Sequence, residues 1–155
     1  LSTKIMNEHK NLNLYIILGQ GIYYGVANEC MNKMKEMSLS NSEAYYTLEY
    51  RHGPMSLVDD KTMIILLGNE ETVDGDAKLL TQMKEYGAIT LAIGNTASRD
   101  FTDADYTLDM GYGYDSIQNA AMIGFIGQLM GYYLAELKGL NADTPRHLSQ
   151  AIVIK

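Results

Sequence analysis

A lysine, a glutamate and a histidine with proton-transfer chemistry lie close together in the first half of the chain: Lys33, Glu36 and His52. Lys33 and Glu36 are three positions apart near the end of a predicted helix, so they are neighbours on one helix face. Such a surface pair is usually only a solvated contact. The macrodipole disfavours a carboxylate at the C-terminal end of a helix, which suggests some other reason for Glu36. His52 opens a His-Gly-Pro turn, where a histidine is most simply a polar loop residue, so spacing alone does not assign a function.

The glycines of Gly19-Gln20-Gly21 lie between a predicted strand and a predicted helix, as in a dinucleotide-binding fingerprint. The third glycine of that fingerprint is missing, because Tyr24 stands in its place, although Glu43 lies about where the ribose-binding acid would. The simpler interpretation is that the glycines allow a tight turn. NAD binding is therefore not favoured, while a ligand near the free N–H groups of the helix start remains possible.

Metal and nucleophile chemistry have little support in this sequence. The three histidines His9, His52 and His147 are scattered, without the i, i+4 spacing of a helical zinc site. Cys30 lies on an apolar helix stripe and is expected to pack in the core. The sequence lacks a G-x-S-x-G elbow, so a serine hydrolase is not indicated. We expect neither a metal nor a cofactor.

Composition indicates one folded domain and excludes several function classes. The 155 residues are 46% hydrophobic and 20% charged, with 2 prolines. The net charge of −7 argues against a protein that binds nucleic acid through its phosphates. The single cysteine fits a reducing compartment, so we expect a cytoplasmic protein. The longest apolar stretch, Ala120–Ala135, is shorter than the roughly 18 residues of a membrane span, so no membrane association is expected.

Strand and helix patterns alternate along the chain, which predicts a parallel sheet covered by helices. The sequence predicts a three-layer, doubly wound α/β domain of the flavodoxin-like kind, with five strands. Sites in such sheets form at the carboxyl edge, which here directs attention to the loops 19–21, 68–72 and 94–99. Residues 1–12 are expected to be a polar connector from an upstream domain, and residues 13–155 the domain itself. The predicted strands are Leu14–Gly19, Glu43–Tyr46, Thr62–Leu67, Ala88–Ile93 and Tyr106–Met110, and the predicted helices are Gly21–Met37, Thr72–Tyr86 and a last one from Asp115 or Ser116 to Lys138.

The run MNKMKEMSLSNSEAYYTLEYRHGPMSLVDD resembles the second SIS (sugar isomerase) domain of double-SIS proteins. That family includes the isomerase half of glutamine–fructose-6-phosphate aminotransferase, ketose/aldose isomerases and fructosamine-6-phosphate deglycases. Three further stretches agree with it: LGQG, MKEYGAITLAIGN and GLNADTPRHLSQAIVI. The resemblance covers almost the whole chain in the same order.

The resemblance implies roles for the three side chains. Glu36 matches the general base that moves a proton between C1 and C2 of an open-chain sugar through a cis-enediol, which a carboxylate can do without a metal. Lys33 matches a lysine that stabilises developing negative charge on oxygen. His52 matches a histidine that helps to open the sugar ring and is donated by the neighbouring subunit, a task that suits an imidazole near neutral pH.

The tail departs from the aminotransferase pattern. A lysine after P-R-x-L-x forms a Schiff base with the ketose in that enzyme, whereas this chain has Gln150 there. An amide can hydrogen-bond a sugar oxygen but cannot form an imine, so Ser149 and Gln150 are expected to bind substrate non-covalently. The family's phosphate pocket belongs mostly to the first SIS domain.

The resemblance therefore implies a cofactor-free aldose–ketose isomerase or deglycase of a hexose or hexosamine 6-phosphate, cytoplasmic and homodimeric or larger, with His52 shared between subunits. Two alternatives stay open at this point. One is a phosphosugar-sensing module without catalysis, and the other is the isomerase domain of an aminosugar synthase.

Overall fold

The computed structural model describes residues 2–111 and 116–148. Within these ranges the strands pair in parallel in the order β2-β1-β3-β4-β5. This is the flavodoxin-like order, so the predicted five-stranded, doubly wound fold is confirmed. The elements are α1 Ser2–Glu8, β1 Leu14–Gly19, α2 Ile22–Ser38, β2 Ser42–Tyr46, 3₁₀ turns at Glu49–Arg51 and Pro54–Leu57, β3 Thr62–Leu67, α3 Val73–Glu85, β4 Ile89–Gly94, α4 Ala97–Asp100, β5 Tyr106–Asp109 and α5 Ser116–Leu137.

The two faces of the sheet are covered by different helices, because successive strand residues point to opposite faces. Every residue of the central strands β1 and β3 is buried. One face packs against α1, α2 and α5, through side chains such as Ile17, Met34 and Leu134. The other packs against α3, α4 and the first 3₁₀ turn, through Ile16, Leu79 and Tyr50. The sheet therefore separates α2 from the segment that follows β2.

The segment predicted to be a polar connector contains a short helix. Residues Ser2–Glu8 form helix α1, in which Ile5 and Met6 are each 1% exposed and belong to the core cluster shared with α5. Two adjacent apolar residues in a polar stretch of this length carry no helical period, and only the tertiary contact reveals their burial.

Helix α5 continues beyond both ends of the apolar stretch Ala120–Ala135. Its segment Ile117–Leu137 is long and apolar enough to cross a membrane by length and composition, and 33% of the most apolar window is buried. The buried side chains of α5, such as Ile123 and Met130, pack on the sheet and α2. The core helix of a soluble domain has the same composition, so this feature assigns no membrane role.

Candidate functional site

Lys33 and Glu36 form a partly buried ion pair on α2. The inner face of the helix carries Ala27, Cys30 and Met34 into the core, and this periodicity leaves the pair beside the buried face. Lys33 Nζ lies 3.1 Å from Glu36 Oε2 and 3.5 Å from a carboxylate oxygen of Glu29, one turn earlier. The Lys33 side chain is 27% exposed and that of Glu36 is 40% exposed. An accessible carboxylate is thus held beside a cation.

The electrostatics of the pair keep the lysine protonated. The hydrogen bond to Glu36 raises the pKa of the Lys33 ammonium, partial burial opposes this shift, and the nearby Glu29 carboxylate adds to it. A protonated amine beside a carboxylate can stabilise negative charge that develops on a substrate oxygen. The carboxylate can at the same time accept a proton from a carbon acid.

The C-terminal end of α2, where Glu36 lies, is held by a lysine that the sequence analysis did not single out. Lys138, just after α5, donates from Nζ to the carbonyl oxygen of Ser38 at 2.9 Å and to Ser40 Oγ at 2.8 Å. Leu39 closes the helix in a left-handed conformation, with φ of 51°. A cation at this end is favourable to the helix macrodipole, so Lys33 and Lys138 together offset the unfavourable position of Glu36.

His52 is not brought to Lys33 and Glu36 within one chain. It is exposed and follows the 3₁₀ turn Glu49–Arg51, in which Tyr50 is 0% exposed and packs on the α3 face of the sheet. Helix α2 lies on the opposite face. His52 thus follows a turn that packs on one face of the sheet, while Glu36 belongs to a helix on the other face.

The carboxyl edge of the sheet lies far from the ion pair. Helix α2 starts at that edge, and Glu36 is 14 residues after Ile22, which is roughly 21 Å along the helix axis. The glycine turn at the edge has a packing role: a Cβ at Gly19 would lie 2.6 Å from the Tyr23 carbonyl group. The interpretation of these glycines as a tight turn agrees with this geometry.

The same edge is strongly acidic at the start of α3. An open depression of about 340 Å³ is lined there by Leu48 and by residues 70–75, which include Glu70, Glu71 and Asp74. These carboxylates repel a phosphate dianion. This depression is therefore a poor phosphate site.

The sequence analysis also considered Cys30, a metal site, and the tail residues Ser149 and Gln150. Cys30 is 5% exposed, and burial raises the pKa of its thiol to about 12, in agreement with a core role. Across residues 2–111 and 116–148 there is no group of three His, Cys, Asp or Glu side chains able to hold a metal. Ser149 and Gln150 lie outside the described residues.

The fold is a doubly wound α/β domain, and a partly exposed carboxylate–ammonium pair, Lys33 and Glu36, lies on one covering helix. The model of the SIS domain family matches residues 10–142. The chain therefore belongs to the SIS domain family.

Several relatives of the chain share the same protein name. The chain is 31% identical over 153 residues to a glutamine–fructose-6-phosphate aminotransferase (isomerizing) of Buchnera aphidicola, a match that covers 97% of this chain and 25% of the relative. It is 33% identical over 155 residues to the protein of that name from Sulfolobus acidocaldarius, covering 98% and 25%. The chain thus spans about a quarter of the length of these relatives.

Solved structures agree in fold. The C-terminal domain of the Francisella tularensis aminotransferase superimposes with a TM-score of 0.82 at 28% identity, over 92% of this chain and 41% of that one. A Thermotoga maritima protein described as a glucosamine-6-phosphate deaminase gives 0.81 at 29%, over 99% and 45%. The Escherichia coli tagatose-6-phosphate ketose/aldose isomerase gives 0.77 at 21% identity, over 96% and 45%, which indicates the shared fold alone.

Proposed function

We propose that this SIS domain supplies the proton-transfer site of a cofactor-free enzyme acting on a hexose or hexosamine 6-phosphate. The reaction is aldose–ketose isomerisation or the related deglycation, through a cis-enediol. The observation that carries the proposal is the Lys33–Glu36 pair, 3.1 Å apart and accessible to solvent. The family membership and the relatives' names, which describe sugar-phosphate enzymes, support the substrate class.

In the proposed mechanism Glu36 removes the proton from C2 of the open-chain aldose and returns it to C1, while the hydroxyl proton of O2 passes to O1. The Lys33 ammonium stabilises the oxygen that becomes anionic as the enediol forms. No metal is required, because a carboxylate and an adjacent cation supply both the base and the charge stabilisation. Lys33 is charged at neutral pH, and the hydrogen bond to Glu36 raises its pKa further.

We further propose that His52 reaches Glu36 from the neighbouring subunit of a homodimer in the cytoplasm. Support comes from Tyr50, two residues before His52, which packs on the sheet face opposite α2. The acidic depression at the start of α3 favours a phosphate site outside this domain, as the family resemblance also implies.

Two alternatives differ in what happens to a bound sugar. A sensing module would bind a phosphosugar without moving the C2 proton. The second alternative is an aminosugar synthase, which the aminotransferase names of the relatives favour. Gln150 argues against it, because an amide cannot form the imine for which that enzyme uses a lysine.

The test is exchange of the C2 hydrogen with solvent. The purified full-length polypeptide is incubated in deuterated water with glucose, fructose, glucosamine and fructosamine 6-phosphates in turn, and exchange at C2 (C1 for the ketoses) is followed by NMR. Isotope incorporation into at least one sugar supports the proposal. Saturable binding of a sugar phosphate with no incorporation overturns the enzymatic function and favours sensing.

A further inference from the structure

Helix α5 comes close to α2 at the turn that carries Lys33 and Glu36. A Cβ at Gly131 would lie 3.1 Å from the Lys33 carbonyl oxygen and 3.3 Å from its carbonyl carbon. One turn earlier, a Cβ at Gly127 would lie 3.3 Å from Cys30 Cα. Non-bonded carbon atoms pack at roughly 3.5–4.0 Å, so a larger side chain at position 131 would push against the backbone of α2.

Beyond this close approach, Lys138 starts a chain of hydrogen bonds that leads back into α2. Its Nζ atom donates to Ser40 Oγ at 2.8 Å and to the carbonyl oxygen of Ser38 at 2.9 Å. The Ser38 hydroxyl donates to the carbonyl oxygen of Met34 at 2.6 Å and lies 2.7 Å from Ser40 Oγ. A serine hydroxyl has one hydrogen, and Ser38 gives its hydrogen to Met34, so Ser40 is the donor to Ser38. The donors therefore run from Lys138 through both hydroxyls to Met34.

This hydrogen-bond chain ends within the turn of the proposed base, because Met34 lies between Lys33 and Glu36 in the sequence. Met34, Ser38 and Ser40 are all buried, so the chain is shielded from solvent. Glu36 is two residues before the end of α2, where helices fray most readily. A general base must lie within hydrogen-bond reach of the proton that it removes, so support from α5 at this turn has catalytic value.

We propose that Lys138 is a positioning residue for Glu36, and that Gly131 sets how closely α5 supports the same turn. Lys138 does not touch the substrate. It acts through the hydrogen-bond chain on the backbone from which the Glu36 carboxylate extends. The inference rests on the proposed function, since the value of a fixed Glu36 lies in proton transfer.

The kinetic test compares Lys138→Met and Ser40→Ala with Lys78→Met, the matched change at an exposed lysine of α3. We expect Lys138→Met and Ser40→Ala to lower kcat by ~5–50-fold, below the ~100-fold cost of a 1 Å misplacement. KM should change less than about twofold in both variants, and Lys78→Met should keep both constants. In a Glu36→Gln background, Lys138→Met should lower kcat less than about twofold further, because the positioned base is gone.

The proposal is overturned if Lys138→Met keeps kcat within about twofold of the wild type, or if it changes KM alone. It is also overturned if the loss of kcat in the Glu36→Gln background is as large as in the wild type.

The contribution of Gly131 is tested by Gly131→Ala, with Gly124→Ala as the control on the same helix. A Cβ at Gly124 would meet no atom within 4 Å, and alanine is the better helix former at both positions. We expect kcat of Gly131→Ala to fall at least about threefold, because the new methyl group displaces the turn at Lys33. Equal kcat values in the two variants would overturn the role of Gly131.

Backbone amide hydrogen exchange, followed by mass spectrometry in the full-length protein, keeps the inference separate from the activity. Lys138→Met and Ser40→Ala should accelerate exchange in residues 34–40 relative to Lys78→Met, with β1 and α3 unchanged. Local acceleration in a protein that turns over no sugar phosphate would reject the proposed function but support the contact between Lys138 and the end of α2. Unchanged exchange in residues 34–40, or acceleration spread over the whole chain in both variants, would reject the positioning role.

Discussion

The stability of the Asp76→Asn variant relative to the wild type should increase as the pH rises. Burial raises the pKa of Asp76 from 3.8 to about 6 in the folded state. The folded protein therefore holds this proton more tightly than the unfolded chain does, and stability falls as the pH rises from about 4 to above 6. A shift of two units corresponds to about 3 kcal/mol, of which more than about 2 kcal/mol should be lost between pH 4 and pH 8. Asparagine does not ionise, so the variant escapes this loss.

The assay is urea unfolding of the wild type and the variant at pH 4, 6 and 8, with Asp74→Asn as a control at an exposed site. The difference in unfolding free energy between Asp76→Asn and the wild type should grow by about 2 kcal/mol from pH 4 to pH 8 in favour of the variant. The Asp74→Asn difference should stay nearly constant. If the two stability curves of Asp76→Asn and the wild type run parallel, the carboxyl is not buried in the way described.

Three further predictions concern the site and its support. Mixing a Glu36→Gln chain with a His52→Ala chain should restore part of the activity if the subunits share His52; mixed dimers without any activity would place His52 elsewhere. Lys138→Met should lower the unfolding free energy by about 1 kcal/mol, because the last carbonyls of α2 lose a charged donor, and an unchanged urea midpoint would contradict this. Borohydride reduction with fructose 6-phosphate should leave no sugar on the tail, because Gln150 forms no imine; a mass shift at Lys155 would favour the aminosugar synthase.

Most of the sheet could be predicted because its strands are short apolar runs between turn residues. The predicted bounds of β1 and β3 agree with the structure, and those of the other strands differ by about one residue at an end. Helix α1 and the short helix Ala97–Asp100 were missed. Both are too short to show a helical period, and the burial of Ile5 depends on α5, far away in sequence.

The candidate site was predicted only in part. The i, i+3 spacing of Lys33 and Glu36 fixes their contact, which local geometry alone determines. The rule that places sites at the carboxyl edge of a parallel sheet indicated the loop before α2, whose start lies roughly 21 Å from Glu36 along the helix axis. The role of Lys138 could not be read from the sequence, because it depends on a contact between segments that are distant in the chain.

The central claim, that Glu36 is the base, is tested most directly by the rate of C2 hydrogen exchange in Glu36→Gln. The matched control is Glu85→Gln, the same change at an exposed carboxylate at the end of α3. We predict that Glu36→Gln slows exchange by ~10²–10⁴-fold with substrate binding nearly unchanged, while Glu85→Gln keeps the wild-type rate. Exchange within a few-fold of the wild type in Glu36→Gln would remove this carboxylate from the mechanism.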